Sequence, residues 1–493
     1  MGTRRLAALR GNPWAVMTTT CLGYFITILN STSVSIAVPE IQAGLGASLS
    51  EVLWVVGGYV LALAVLTVTA GRLGDVAGPR TVFLAGMAVF TVASSLCGFA
   101  QTPWQLIGAR LLQGVGAALI IPQTLTMMTL VFPPERRGRA SAVWGVTAGL
   151  AGVAGPTLGG LLVSTAGWRS IFAMNLPVGV LIVVLTLLVV PPAVTGQAAR
   201  RLNAAGAALA GAGLGAITFG LLEGRHYGWG TVASVADVPI TVPMVIGFGL
   251  LLLAGFVAHQ HRAREPLVPT RLFADRTFTL MTASMAIVSM CVITLSLTMT
   301  LFLQTVLGMP AAQAGLTLAP WALGMTFGFP VTARLTERYG GERVLLGGLL
   351  VYAAALAAVA LLSRPGVAGY ALVAPLAIAG LSQSAAFGPI TSLAMRDVAS
   401  DLAGAASGVF NTIRQTGTLF GISVLGTVLQ ARLDAGLAST SYGTAFGAAV
   451  RFTLLVCAAS VLLAALGSCL NARSRRVSRE PVPRSDASRS PSA

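Results

Sequence analysis

Fourteen apolar runs of about twenty residues follow one another along this chain, and that is the length an α-helix needs to cross a bilayer core of roughly 30 Å. Bounded by arginine, proline and glycine, they fall near 14–38, 52–71, 80–100, 104–131, 140–163, 171–191, 204–223, 238–258, 278–304, 312–333, 344–362, 368–391, 404–429 and 448–470. Of the 493 residues 55% are hydrophobic and only 9% charged, and the mean hydropathy is +0.83. A water-solvated surface cannot be built from so few charges, so the chain reads as an all-α membrane protein with fourteen transmembrane helices.

The net charge of +16 invites a nucleic-acid reading, but its distribution points to the membrane instead. All 31 basic residues are arginine. With the N-terminus inside, 24 of them fall in inner segments and the tail, while Arg169, Arg225, Arg364, Arg432 and Arg451 fall in outer ones. That asymmetry is the positive-inside signature, and it predicts a multi-pass plasma-membrane protein with both termini cytoplasmic, anchored by arginine to anionic headgroups. Only Arg110 and Arg414 lie inside spans.

Cys21, Cys97, Cys291, Cys457 and Cys469 sit in or at the ends of apolar runs without paired spacing, so they read as small buried hydrophobes. The first span is too long for a cleaved signal peptide and has no small-residue cleavage site before Pro39. Residues 471–493, rich in Arg, Ser and Pro, read as a disordered cytoplasmic tail.

One offset relates the two ends of the chain. Arg72-Leu73-Gly74-Asp75-Val76-Ala77-Gly78 returns 262 residues later as Arg334-Leu335-Thr336-Glu337-Arg338-Tyr339-Gly340, and the same shift carries Gly86, Gly155 and Gly159 onto Gly348, Gly417 and Gly421. Spans 1–6 therefore repeat as spans 9–14. The expected domains are a six-helix half at 1–197, two inserted helices at 198–265 and a second six-helix half at 266–470. Such halves, related by an axis along the membrane normal, describe a secondary transporter with its site between them at the midplane.

The segment Gly71-Arg72-Leu73-Gly74-Asp75-Val76-Ala77-Gly78-Pro79-Arg80 resembles the signature loop of the major facilitator superfamily. Arg110, Gln113, Gly114 and Gly116 are similar to its fourth-helix pattern, and Gly155-Pro156-Thr157-Leu158-Gly159-Gly160 to the helix 5 motif of its antiporters. Trp168-Arg169-Ser170-Ile171-Phe172 with Asn175-Leu176-Pro177, Gln304 with Gly308, and Asn411 with Arg414-Gln415 resemble its fourteen-helix drug:proton antiporters. The resemblance implies a major facilitator fold of two six-helix halves plus two inserted central helices. It also implies proton-driven export of a drug, antibiotic or other amphipathic small molecule, with no enzymatic activity. An uptake carrier or uncoupled facilitator on the same fold is the alternative.

Candidate residues on the substrate and proton pathway are Asn30, Arg110, Gln113, Gln304, Asn411, Arg414 and Gln415, with Asn175 as a further polar group of the cavity. An arginine near the midplane costs about 3 kcal/mol and should face a polar cavity or a partner. Gate candidates are Gly71, Asp75, Gly78 and Arg80, as a charged clasp on a tight glycine turn, and Gly155, Pro156 and Gly159, as close-packing helix elements. Asn30 stands where the family's first-helix motif usually has a titratable aspartate, and none of the fifteen acids falls near a midplane. Any coupled proton then falls to rim groups such as Glu40, Asp75, Glu223 or His226.

A cavity offering arginines and amides but no carboxylate suits a neutral, zwitterionic or anionic amphipathic compound better than a permanent cation. The expected partners are that substrate and the lipid bilayer. Neither nucleic acid, metal nor cofactor is expected, the energy source is the proton gradient, and the working unit is expected to be a monomer.

Overall fold

The structure is a computed structural model that describes residues 11–192, 203–224, 226–235, 238–263, 268, 270–398, 403–437 and 441–477. Its helices are α1 (Pro13–Leu45), α2 (Leu49–Ala77), α3 (Pro79–Phe99), α4 (Pro103–Val131), α5 (Pro134–Ala166), α6 (Arg169–Val189) and α7 (Ala204–Glu223). After a short hairpin of β1 (Thr231–Val235) and β2 (Val238–Thr241) come α8 (Val242–Arg262), α9 (Arg276–Leu301), α10 (Ala311–Tyr339) and α11 (Gly341–Leu362). The chain continues through α12 (Val373–Met395), α13 (Ala403–Leu437) and α14 (Tyr442–Val477).

Local chemistry marks the helix ends. Asn12 caps α1, its Oδ1 accepting from Trp14 N at 3.0 Å with Pro13 at the first helical position. Ser48 and Glu51 form a capping box at α2, and Thr102 caps α4. Successive helices run in opposite directions, as where Gly213 and Gly220 of α7 meet Leu253 and Ile246 of α8, so α1 starts, and α14 ends, on one face of the bundle. That face is called proximal here, and the face bearing the α1–α2 turn distal.

The packing repeats itself eight helices on. α3 with α4, α2 with α4, α1 with α5 and α3 with α6 are matched by α11 with α12, α10 with α12, α9 with α13 and α11 with α14. The two six-helix halves meet along α5–α10 and α2–α13, while α7 and α8 pack on each other and α7 also touches α2 and α13. The backbone echoes the repeat. Gly78, the single residue between α2 and α3, has φ +85° and ψ 134°, and Gly340, between α10 and α11, has φ +85° and ψ 145°. This region suits a residue without a Cβ, so both copies of the motif turn on glycine.

The structure adjusts several sequence expectations. Among the described residues thirteen helices are long and apolar enough to cross a membrane. α13 falls short because Asn411, Arg414 and Gln415 interrupt its apolar run, yet it packs inside the bundle against α2, α9 and α14. The span expected at 238–258 begins at Val242, because residues 238–241 pair with β1. Residues 471–477, expected as disordered tail, continue α14, since extending an existing helix is easy compared with nucleating one. The rest of the expected tail lies outside the described residues.

Candidate functional site

Arg110 of α4 is fully buried. Its Nη1 donates to Asn30 Oδ1 of α1 at 2.6 Å and to Gln113 Oε1 at 2.7 Å, while Nε donates to the carbonyl of Val55 on α2 at 3.0 Å. The Tyr59 ring lies 4.3 Å from the guanidinium carbon, and its hydroxyl donates to Thr27 O at 3.1 Å. Gly114 brings α4 onto α2 at this level, for a Cβ there would strike the Tyr59 carbonyl. Each bond from a charged donor contributes about 1.5–3 kcal/mol, which offsets the cost of placing the cation in the membrane. Among the described residues no carboxylate pairs with Arg110. Arg110 Nη2, Asn30 Nδ2 and Gln113 Nε2 are buried without hydrogen-bond partners among those residues. Three of the seven pathway candidates thus form one cluster, with its positive charge held by neutral acceptors.

Arg414 lies eleven residues into α13, roughly 16 Å from the proximal end, and keeps part of its surface accessible. Its Nε donates to Asn411 Oδ1 at 3.3 Å, Gln415 is half-buried beside it, and the side chain is within electrostatic range of Tyr24 on α1. Tyr24 stacks on Trp144 of α5, with ring centroids 4.4 Å apart and planes 8° from parallel. Trp144 Nε1 donates to Thr124 Oγ1 at 3.1 Å. Three helices from the two halves therefore bring a cation and an aromatic pair to one depth. Tyr24, Trp144 and Tyr59 carry no signal in the sequence, because an aromatic residue in an apolar run has no mark that separates a cavity wall from a core.

The remaining predicted residues are divided among the seams and rims. Gln304, in the π-helical turn Phe302–Val306 after α9, donates from Nε2 to Ile36 O of α1 at 2.9 Å and so ties the halves together near the distal face. Gly155 and Gly159 lie against α1, where Ser33 Oγ donates to Gly155 O at 3.0 Å. The carbonyl of Pro156 faces Gly315 of α10, and a Cβ on Gly160 would stand 2.6 Å from Ala311 O. Backbone thus meets backbone along α5–α10. Gly71 faces Pro122, and Arg80 Nη2 donates to Leu187 O of α6 at 3.0 Å. The side chain of Asp75, the acid of the expected clasp, lies outside the described residues.

Glu40 is half-buried at the distal end of α1. Glu223 is buried and accepts from Trp54 Nε1 at 3.1 Å, with His226 exposed nearby. Asn175, expected in the cavity, instead donates from Nδ2 to Ser94 Oγ at 2.8 Å within the α3–α6 packing. A polar residue in a helix shows its depth in the sequence but not which neighbour it faces. A groove of about 370 Å³ between α3 and α4, lined by Phe99, Trp104 and Leu112, opens on the apolar outer surface, away from both arginines.

Two six-helix halves, with a buried arginine inside one and a partly accessible arginine between them, define a polytopic membrane transporter rather than an enzyme. The chain belongs to the Major Facilitator Superfamily, whose family model matches residues 20–422. It is 37% identical over 425 residues to an uncharacterized MFS-type transporter of Mycobacterium tuberculosis, covering 86% of this chain and 72% of the relative. It is 32% identical to the tetracenomycin C resistance and export protein of Streptomyces glaucescens, over 87% of this chain and 78% of that one. With the cephamycin export protein of Amycolatopsis lactamdurans it shares 33% identity, over 90% and 91% of the two chains. Among solved structures, a bacterial homolog of the human lysosomal transporter Spinster superposes with TM-score 0.68 at 17% identity, over 95% of this chain and 98% of that one, a likeness of fold.

Proposed function

We propose that this chain exports a small amphipathic molecule across the plasma membrane in exchange for protons, and that the molecule is not a permanent cation. The observation that carries the substrate reading is the Arg110 cluster: a fully buried guanidinium held by Asn30 and Gln113, with no carboxylate beside it among the described residues. A substrate path beside a charge of that sign repels a lipophilic cation and accepts a neutral or acidic compound. Arg414 adds a second positive charge beside the Tyr24–Trp144 stack, which suits an apolar body with a polar or acidic end. The export direction is supported by relatives whose names describe antibiotic export and resistance.

In this reading the moving bodies are residues 1–197 and 266–470, joined by 198–265. The arginine asymmetry supports assigning the proximal face, with both termini, to the cytoplasm. Glu40, Asp75 and Glu223 are the candidate proton groups. The working unit is a monomer, with the membrane as its surroundings.

Purified protein in proteoliposomes tests the whole reading. Efflux of a cationic dye and of a neutral amphipathic compound is measured with and without an imposed pH gradient. The expected result is gradient-driven movement of the neutral compound and weak movement of the dye. Dye transport as strong as that of the neutral compound sinks the charge argument, and indifference to the gradient sinks proton antiport.

A further inference from the structure

Among the described residues Glu223 is the only acid withdrawn from solvent. It ends α7, the first inserted helix, at the distal face. Trp54 Nε1 on α2 donates to its Oε1 at 3.1 Å. Two residues earlier on α7, Leu221 O accepts from Thr427 Oγ1 of α13 at 2.7 Å. Leu222 lies with Leu53 of α2 over Gly426 of α13, where a Cβ would stand 3.0 and 2.7 Å from the two leucines. One turn of the inserted helix is therefore fastened to both sides of the α2–α13 seam, at its distal end.

Parting the distal ends of α2 and α13 breaks one of these attachments and admits water to the carboxyl. Closing them again buries it, and burying a carboxylate ion costs far more than burying the neutral acid. The charged and titratable groups facing Glu223 are His226, in the segment after α7, and Glu51 on α2. Glu51 is engaged at its own helix cap, accepting from Ser48 N and Oγ at 2.8 Å each. α13 presents Thr427 and Gly426, and α8 presents Ile246 against Gly220. Arg225 lies outside the described residues.

We infer that the inserted helix pair is a proton-operated clasp on the distal seam, with Glu223 as its proton-binding group. A proton taken up from the distal solvent favours the closed seam, and its return to that solvent favours opening, so Glu223 gates the seam while the exchanged proton crosses on another group. The inference rests on the proton-antiport reading and gives it an order of events. After the cargo leaves on the distal side, the incoming proton neutralises Glu223, and α7 draws α2 and α13 together.

Spin labels on Ala43→Cys and Ala435→Cys, both exposed near the distal face, report the separation of the halves in lipid nanodiscs. Cys469 is replaced by serine, and the other four cysteines are buried. Acidic buffer is expected to shift the unaltered protein toward the short separation, and Glu223→Gln to hold the short separation at every pH. Trp54→Phe keeps the acid but removes a donor to the ion, so the long separation should gain in alkaline buffer and recover in acid. A pH response undiminished in Glu223→Gln, or absent from the unaltered protein, overturns the clasp. If the glutamine variant does not assemble, a Trp54→Phe response identical to the unaltered protein's overturns it equally. Efflux measured alongside separates the two readings: gradient-indifferent efflux sinks antiport itself, whereas gradient-driven efflux with a pH-responsive Glu223→Gln sinks the clasp alone.

Discussion

Asn30 Oδ1 lies 2.6 Å from Arg110 Nη1, a separation that a carboxylate would turn into a buried ion pair. The amide keeps the hydrogen bond and leaves the charge of Arg110 uncancelled. Asn30→Asp is expected to raise thermal stability and to increase efflux of a lipophilic cationic dye, by roughly tenfold for each 1.4 kcal/mol of added attraction. Dye-efflux assays on both proteins check this, and unchanged dye transport in a stable Asp variant removes Asn30 from substrate selection.

Arg414 should meet the cargo. A cysteine in its place is expected to react with a small water-soluble thiol reagent and to be shielded by substrate. Arg414→Ala should lower export of an acidic amphiphile about tenfold, equivalent to about 1.4 kcal/mol, while sparing a neutral one. Equal loss for both compounds would assign the residue to packing.

Gln304 closes the distal side with one hydrogen bond across the halves. Its net contribution is about 1 kcal/mol, so Gln304→Ala should raise the distally open population by about fivefold. The rate at which a membrane-impermeant reagent applied from the distal face labels Ser31→Cys reads that population. Unchanged labelling would mean that the bond forms in every state of the cycle.

Gly340→Ala forces a Cβ onto a backbone of φ +85° and ψ 145°, a region essentially reserved for glycine, at about 1–3 kcal/mol, and membrane abundance and melting temperature should both fall. Gly347→Ala is the control, since its Cβ would meet nothing within 4 Å. If both variants melt alike, the shared turn of the two repeats is not under conformational constraint.

The helices and their number were legible in the sequence, because lipid demands long apolar runs; Asn30, Arg110 and Gln113 stood out only as polar groups at known depth, together with Gln304, Asn411, Arg414 and Gln415. Depth alone could not assign azimuth. Asn175 and Asn30 look alike in sequence, yet one packs between α3 and α6 and the other meets Arg110. Tyr24, Tyr59 and Trp144 were invisible for the opposite reason, since their rings satisfy the same apolar pattern as core. The β hairpin escaped because its Val and Ile residues extend the apolar run of the helix that follows.

The uncompensated arginines also have an electrical consequence. In an alternating-access cycle the membrane potential falls across whichever barrier is shut. Shifting the barrier from one side of Arg110 and Arg414 to the other therefore moves those charges through the field while the side chains stay in place. The work is about 2.3 kcal/mol per charge for each 100 mV crossed, enough to bias the resting orientation of an empty carrier. An acidic cargo cancels part of that charge, so loaded and empty carriers should respond differently to voltage. Transient currents from protein adsorbed on a supported bilayer would record this as a charge movement that shrinks when an anionic substrate binds. A charge movement unaffected by both Arg110→Gln and Arg414→Gln would trace the electrical work to groups elsewhere in the chain.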